Sequence, residues 1–151
     1  MTTIELNLPI ADLRIKNVAD KEVIYDVLRR KYVALTQEEW VRQNFVSYLI
    51  NHKKYLAGLM SNEVSLVQNG IKRRCDTLVC DKYGNPMVIV EYKAPHIEIT
   101  QKVFDQIVRY NYVLRAKYLI VSNGLNHFCC CINYGAGNYS FLADVPFYDD
   151  L

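Results

Sequence analysis

KRRCDTLVCDKYGNPMVIVEYKAP, residues 72–95, decides how this chain is read. It divides into a strand reaching Asp81, a turn-rich DKYGNP, and a second strand, MVIVEYK, stopped at Ala94-Pro95 because proline cannot donate to a central ladder. A period of two puts Ile89, Glu91 and Lys93 on one face of the second strand and Val88, Val90 and Tyr92 on the other. Folding about the 81–86 turn brings Asp76 beside Glu91, to within a residue or two of register. Two carboxylates and an ammonium thus gather on a strand that is otherwise strongly apolar, where inward charges are costly unless paired or bound to metal. Hard oxygen ligands suit Mg²⁺, which takes one or two carboxylates and keeps several waters. One such water is a candidate nucleophile, with Lys93 placed to hold it or to offset developing negative charge, and a phosphodiester is the natural substrate. Standing alone, an E-x-K would read as an exposed ion pair on a solvated face.

Upstream, Val64, Leu66 and Gln68 alternate with Ser65 and Val67, and Asn69-Gly70 is a hairpin turn signal, which completes an antiparallel meander of three strands. Before it, Thr36-Gln37-Glu38-Glu39 has the form of a capping box and opens a helix through Leu49 or Ile50, buried along Val41, Phe45, Tyr48, Leu49 and Ile50. Residues 1–35 form an arm packed on the core, in which Ile24, Val27, Leu28 and Tyr32 fall at helical spacing and predict a short peripheral helix. Downstream, Glu98 to about Lys117 is free of Gly and Pro and predicts the longest helix. YLIVS then reads as a buried strand, Asn123-Gly124 as a turn, HFCCCINY as its neighbour and NYSFLA as one strand more.

A chain of 151 residues suits one domain, here 36–151 with its arm, and 51% hydrophobic against 23% charged residues excludes a disordered or fibrous chain. A net charge of +2 excludes a uniformly basic nucleic-acid binder, so any basic surface is local. The clusters are Lys53-Lys54 and Lys72-Arg73-Arg74; the second runs directly into Asp76, which suits phosphate contact, although edge-strand protection explains such charges equally well. The cysteine spacing suggests neither disulfides nor a zinc knuckle, so the five thiols read as reduced and buried small hydrophobes. No run is long enough to span a membrane, and MTTIELNLPI lacks the regions of a signal peptide, so the expected location is cytoplasmic.

Taken together, EEWVRQ (38–43), VSL (64–66), KRRCDTLVCD (72–81), VIVEYKAP (88–95), QIVRY (106–110) and YLIVSNG (118–124) resemble the N-terminal nuclease domain of the R subunit of type I restriction enzymes, within the PD-(D/E)xK superfamily. The likeness spans roughly residues 36–134. It implies an α/β fold with a restriction-endonuclease-like core, a central mixed β-sheet flanked by helices. It also implies Mg²⁺ or Mn²⁺ held by Asp76 and Glu91, with Lys93 as the catalytic lysine. Gln106 and Tyr110 match the Q-x-x-x-Y element beside the site in related nucleases, and their i, i+4 spacing puts both on one helix face. By the same likeness Glu38 is a further metal ligand, though the neighbouring Glu39 is the better cap. The implied partners are DNA and other restriction-modification subunits, and cutting both strands with one site per chain would need a homodimer.

The chain departs from the family in two ways. It has no G-x-x-x-x-G-K-[ST] sequence and no room for an ATP-driven motor, and Cys75 stands where the superfamily name has proline. A metal-dependent endonuclease domain is therefore the leading expectation. Against it stands a non-catalytic DNA-binding or subunit-docking module that keeps the fold, favoured by the small net charge. A third option, an enzyme with a nucleophilic cysteine, lacks an electropositive setting for any thiol.

Overall fold

The computed structural model describes residues 3–151. Residues 1 and 2, where the MTTIELNLPI segment starts, lie outside the described residues. Six strands form the central sheet: β4 (Met60–Gln68), β5 (Ile71–Cys80), β6 (Pro86–Tyr92), β7 (Tyr118–Ser122), β8 (His127–Asn133) and β9 (Asn138–Leu142), side by side in that order. Only β6 and β7 run parallel; every other pair is antiparallel. The parallel step needs a crossover, and helix α2 (Gln101–Asn111) supplies it. Helix α1 (Gln37–Asn51) covers the opposite face. The expected α/β architecture, a mixed sheet flanked by helices, is what the chain adopts.

Each face of the sheet has its own core. Val88, Val90 and Tyr92 meet Val41, Phe45 and Leu49 of α1, while Ile89 and Leu119 meet Phe104, Ile107 and Val108 of α2. The period-two reading of β6 therefore holds. The triple cysteine divides in the same way, with Cys129 and Cys131 toward α1 and Cys130 toward α2, and all five thiols are free. Asn69 and Gly70 both take positive φ (51° and 76°), as a two-residue turn between β4 and β5 requires. No helix is long and apolar enough to cross a membrane among the described residues.

Two expectations need correction. The helical spacing at Ile24, Val27, Leu28 and Tyr32 does not make a helix; the segment forms a separate antiparallel sheet, β1 (Ile15–Val18), β2 (Lys21–Asp26) and β3 (Lys31–Ala34). Its signal was the β-branched and aromatic run V-I-Y. Asp26 then turns the chain by accepting from the Leu28 and Arg29 N–H groups at 2.8 and 3.0 Å, and Val27 is left half exposed. The second helix is also shorter than Glu98–Lys117. It starts after Thr100, whose hydroxyl accepts from Val103 N–H at 3.2 Å, and tightens into a 3₁₀ turn at Tyr112–Leu114 before left-handed Arg115 (φ 58°) redirects the chain into β7.

Residues 4–8 form a strap between α1 and the turn that follows β7. Trp40 Nε1 donates to the Ile4 carbonyl at 2.9 Å and Asn7 N–H to the Gly124 carbonyl at 2.9 Å.

Candidate active site

The β5–β6 ladder pairs Thr77 with Val90, so Asp76 and Glu91 are the next residues along on each strand. Asp76 leans across to β6, where its Oδ2 accepts from Tyr92 N–H at 2.9 Å. Half-buried Lys93 follows directly, its own N–H donating to the Ser122 carbonyl of β7 at 2.9 Å. The three residues named from VIVEYK and RRCD therefore gather at one end of the β5–β6 ladder.

The electrostatics of this end are unusual. Burial, and then the charge of Asp76, push the Glu91 carboxyl up to about 7, with Lys93 offsetting part of the rise and Glu38 and Glu63 adding to it. Burial also raises Asp76, although the Tyr92 N–H and the Arg42 guanidinium pull the other way. Glu91 Oε2 is buried and has no hydrogen-bond partner among the described residues. Glu91 lines a cleft of about 300 Å³ together with Gln106, Ile107, Tyr110 and Asn111. Asn111 Oδ1 is likewise buried and unpartnered, and because Asn111 Nδ2 donates to the Ile107 carbonyl at 3.0 Å the amide cannot be turned over without losing that bond. Two residues that line one cleft thus each carry a buried oxygen acceptor left unmatched among the described residues, which is costly for a fold and suits a ligand bearing positive charge or donors. A neighbouring hollow of about 260 Å³, lined by Phe104, Phe128 and Phe141, contains no carboxylate.

The remaining sequence candidates are distributed unevenly. Gln106 and Tyr110 share the cleft with Glu91. Glu38 is exposed in the first turn of α1, close enough for its charge to act on Glu91. Among the described residues, no three of His, Cys, Asp and Glu are grouped closely enough to hold a metal ion. Lys72 is exposed. Arg73 is held by Tyr110: its Nε donates to the Tyr110 carbonyl at 2.6 Å, and its guanidinium lies 4.5 Å from the ring centroid. Arg74 pairs with Glu63, Nε to Oε2 at 2.7 Å.

Sequence reasoning missed what lies beneath the site. Arg42 is buried in α1 and donates from Nη1 to the Asp76 carbonyl at 2.7 Å and from Nη2 to Glu63 Oε1 at 2.6 Å, with its Nε 2.8 Å from Glu39 Oε2. Glu39 Oε1 also accepts from Arg29 at 2.6 Å, and Arg29 is paired with the fully buried Asp26. Asp26 in turn accepts from Asn62 at 3.0 Å, Asn62 accepts from Thr77 at 2.6 Å, and Thr77 accepts from Tyr92 at 2.9 Å. Glu63 is left-handed (φ 54°) where the β4–β5 ladder skips its pair with Asp76. A non-glycine residue in that conformation costs on the order of 1–2 kcal/mol, strain of the kind that collects at functional sites. The break releases the Asp76 carbonyl to Arg42. Only Glu39 carried a signal, its place in the capping box. Its N–H does bond the Thr36 hydroxyl at 3.0 Å, but its side chain serves Arg29 and Arg42.

No curated protein matches the chain. With the fold and this arrangement in place, the decisive comparison is the family model described as type I restriction enzyme R protein N terminus (HSDR_N), which matches residues 37–146 and so takes in both helices, the whole six-stranded sheet and Asp76, Glu91, Lys93, Gln106 and Tyr110: the chain belongs to that family.

Proposed function

We propose that the domain is a metal-dependent DNA endonuclease module of a restriction system, hydrolysing phosphodiesters at the end of the β5–β6 ladder. The observation that carries this is the pair of unmatched acceptors, Glu91 Oε2 and Asn111 Oδ1, on two residues that line one cleft, with Asp76 across the ladder from Glu91. The donor set fits Mg²⁺ or Mn²⁺, since two carboxylates that repel each other are relieved by a hard cation, and such ions need few protein ligands. When bound, the ion supplies Lewis acidity toward the phosphate and lowers the pKa of water. Asp76 and Glu91 hold the ion, Asp76 being fixed by Tyr92 N–H and its carbonyl by Arg42. The Lys93 ammonium orients the attacking water and balances charge on the phosphate. Gln106 and Tyr110 wall the cleft and position the substrate backbone. Lys72 is the cation of its cluster most open to phosphate, with Arg73 and Arg74 as neighbours that must exchange their present partners. DNA and the other subunits of a restriction system are the partners on this reading.

Lys93→Ala should lower the metal-dependent nicking of plasmid DNA by at least about 100-fold with the melting temperature unchanged, by analogy with the loss of one stabilising donor. Equal nicking by the variant and the parent would sink the assignment. The second reading, a module that keeps the fold without catalysis, is favoured by the small net charge of +2. Calorimetric titration with Mn²⁺ separates the two, because a non-catalytic module with these residues intact would take up no ion.

A further inference from the structure

The geometry points to a second nucleic-acid contact: the outer face of the β1–β3 sheet is a docking surface for the phosphate backbone of duplex DNA. This sheet lies outside residues 37–146 and outside the cleft. Its register pairs Lys16 with Val23, Val18 with Lys21 and Tyr25 with Tyr32, while Tyr25 N–H bonds the Arg14 carbonyl at 2.9 Å. Residues directly opposite on neighbouring strands share a face. Ile24 and Asp26, fully buried, mark the inner face; Arg14, Lys16 and Lys21 with Tyr25 and Tyr32 occupy the outer one. Val18, Val23 and Ala34 fill the rest of its rows, so the face carries three cations and no carboxylate.

In a chain with a net charge of only +2, that is a local concentration of one sign. The cations are also positioned. Lys16 Nζ sits 4.0 Å from the Tyr32 ring centroid and Arg14 Cζ 5.2 Å from that of Tyr25, and the two rings meet edge to face at 5.2 Å. Among the described residues none of the three cations pairs with a carboxylate. A cation over an aromatic face keeps its charge and loses freedom, so less entropy is spent when a phosphate arrives. The cations fall in successive rows, roughly 6.7 Å apart along the strands, against one phosphate per about 3.4 Å of each DNA strand. The surface is tied to the site's frame through Asp26, Arg29 and Glu39, so a duplex held here is held against the nuclease body.

The choice of DNA as occupant rests on the nuclease reading, but its test does not. Binding of a short labelled duplex is followed by fluorescence anisotropy in EDTA, where cleavage plays no part, from about 50 to 200 mM salt. The variant Arg14→Gln/Lys16→Gln/Lys21→Gln should flatten the plot of log K against log salt by about three units, roughly one per cation lost. Affinity at the low-salt end should fall by on the order of tenfold or more. Lys54→Gln/Lys82→Gln/Lys117→Gln removes the same charge elsewhere and should leave the slope nearly unchanged. An equal effect from both variants, no effect from the first, or tighter capture of polyglutamate or anionic vesicles than of DNA would each overturn the surface. Single substitutions Lys16→Gln and Lys21→Gln give the same reading in steps of about one should the triple variant fail to fold. Wild-type protein that binds through this face yet never cuts with Mg²⁺ would retire the nuclease reading and leave the surface standing. Wild-type protein that cuts while binding is indifferent to the face would do the reverse.

Discussion

Asp26 and Glu63 lie beneath the site and Asp76 and Glu91 at it, all four withdrawn from bulk water, yet their surroundings treat them in opposite ways. Burial works against the charge of Asp26, but hydrogen bonds from the Arg29 backbone, Asn62 and the Arg29 side chain hold it below the usual carboxylate range. Glu63 is held low against its burial by Arg42 and Arg74. Asp76 and Glu91 receive less help than burial and neighbouring carboxylates, Glu63 for the first and Asp76 for the second, take away, and both are pushed up. Arg29 and Arg42 hydrogen-bond the side chains of the lower set, whereas the upper carboxylates feel the charges of Arg42 and Lys93 without a side-chain hydrogen bond from an arginine among the described residues. The carboxylates beneath the site are matched from within the chain; the pair at it is not.

The strongest way to break this contrast is to remove the cation that serves the lower set. Arg42→Met leaves Glu39 and Glu63, with side chains 8% and 20% exposed, facing a gap without their guanidinium. Loss of one partner from a buried ion pair costs about 3–5 kcal/mol, which in a chain of this size lowers Tm by on the order of 10 °C. Calorimetry reads it directly, and an unchanged Tm would show that the network is ornament. The opposite manipulation sharpens the contrast. Glu91 has a folded pKa raised from 4.5 to about 7, so between those values the folded state holds more protons than the unfolded one and stability is lost as pH rises. Asp26 and Glu63, both depressed, stabilise above their unfolded values and lose that contribution only as pH falls through their lower folded ones. Metal-free Glu91→Gln should therefore be more stable than the parent at pH 8, lack the fall in Tm between about pH 4.5 and 7, and gain nothing from Mn²⁺. A parent whose Tm is flat across that window would contradict the raised carboxyl.

How much of this could be read in advance follows the same division. Asp76 and Glu91 were legible because a two-residue period, one turn and a hairpin fix a register with few alternatives, and Gln106 and Tyr110 because four residues is one helical turn. Arg42 was not, since α1 buries Arg42, Gln43 and Asn44 along with its apolar residues, and an arginine between glutamine and valine reads as solvated until its tertiary partners are known. Glu63 was not legible either, because nothing in N-E-V announces a left-handed residue in mid-strand. The β1–β3 sheet was lost to an accidental three- and four-residue spacing that β-branched and aromatic composition outweighed.

Asn123-Gly124 gives the smallest of these effects and tests whether the strap of residues 4–8 belongs to the frame. A tight turn explains the pair of residues only in part. Gly124 has φ +85°, and a Cβ there would lie 2.7 Å from Leu6 Cδ2 and 3.2 Å from Val41 Cγ2. Asn123 Nδ2 donates to the Ile97 carbonyl at 2.8 Å, which ties the turn to the loop that follows Lys93. Gly124→Ala should cost about 1–2 kcal/mol from the left-handed backbone alone, a few degrees in Tm, with a further loss because Leu6 must move. Adding Leu6→Ala removes the clash but not the backbone strain, so the double variant should lose less than the two single losses together. Strict additivity in that cycle would mean that the strap yields without resistance and that the matched, internally satisfied part of the molecule ends at α1.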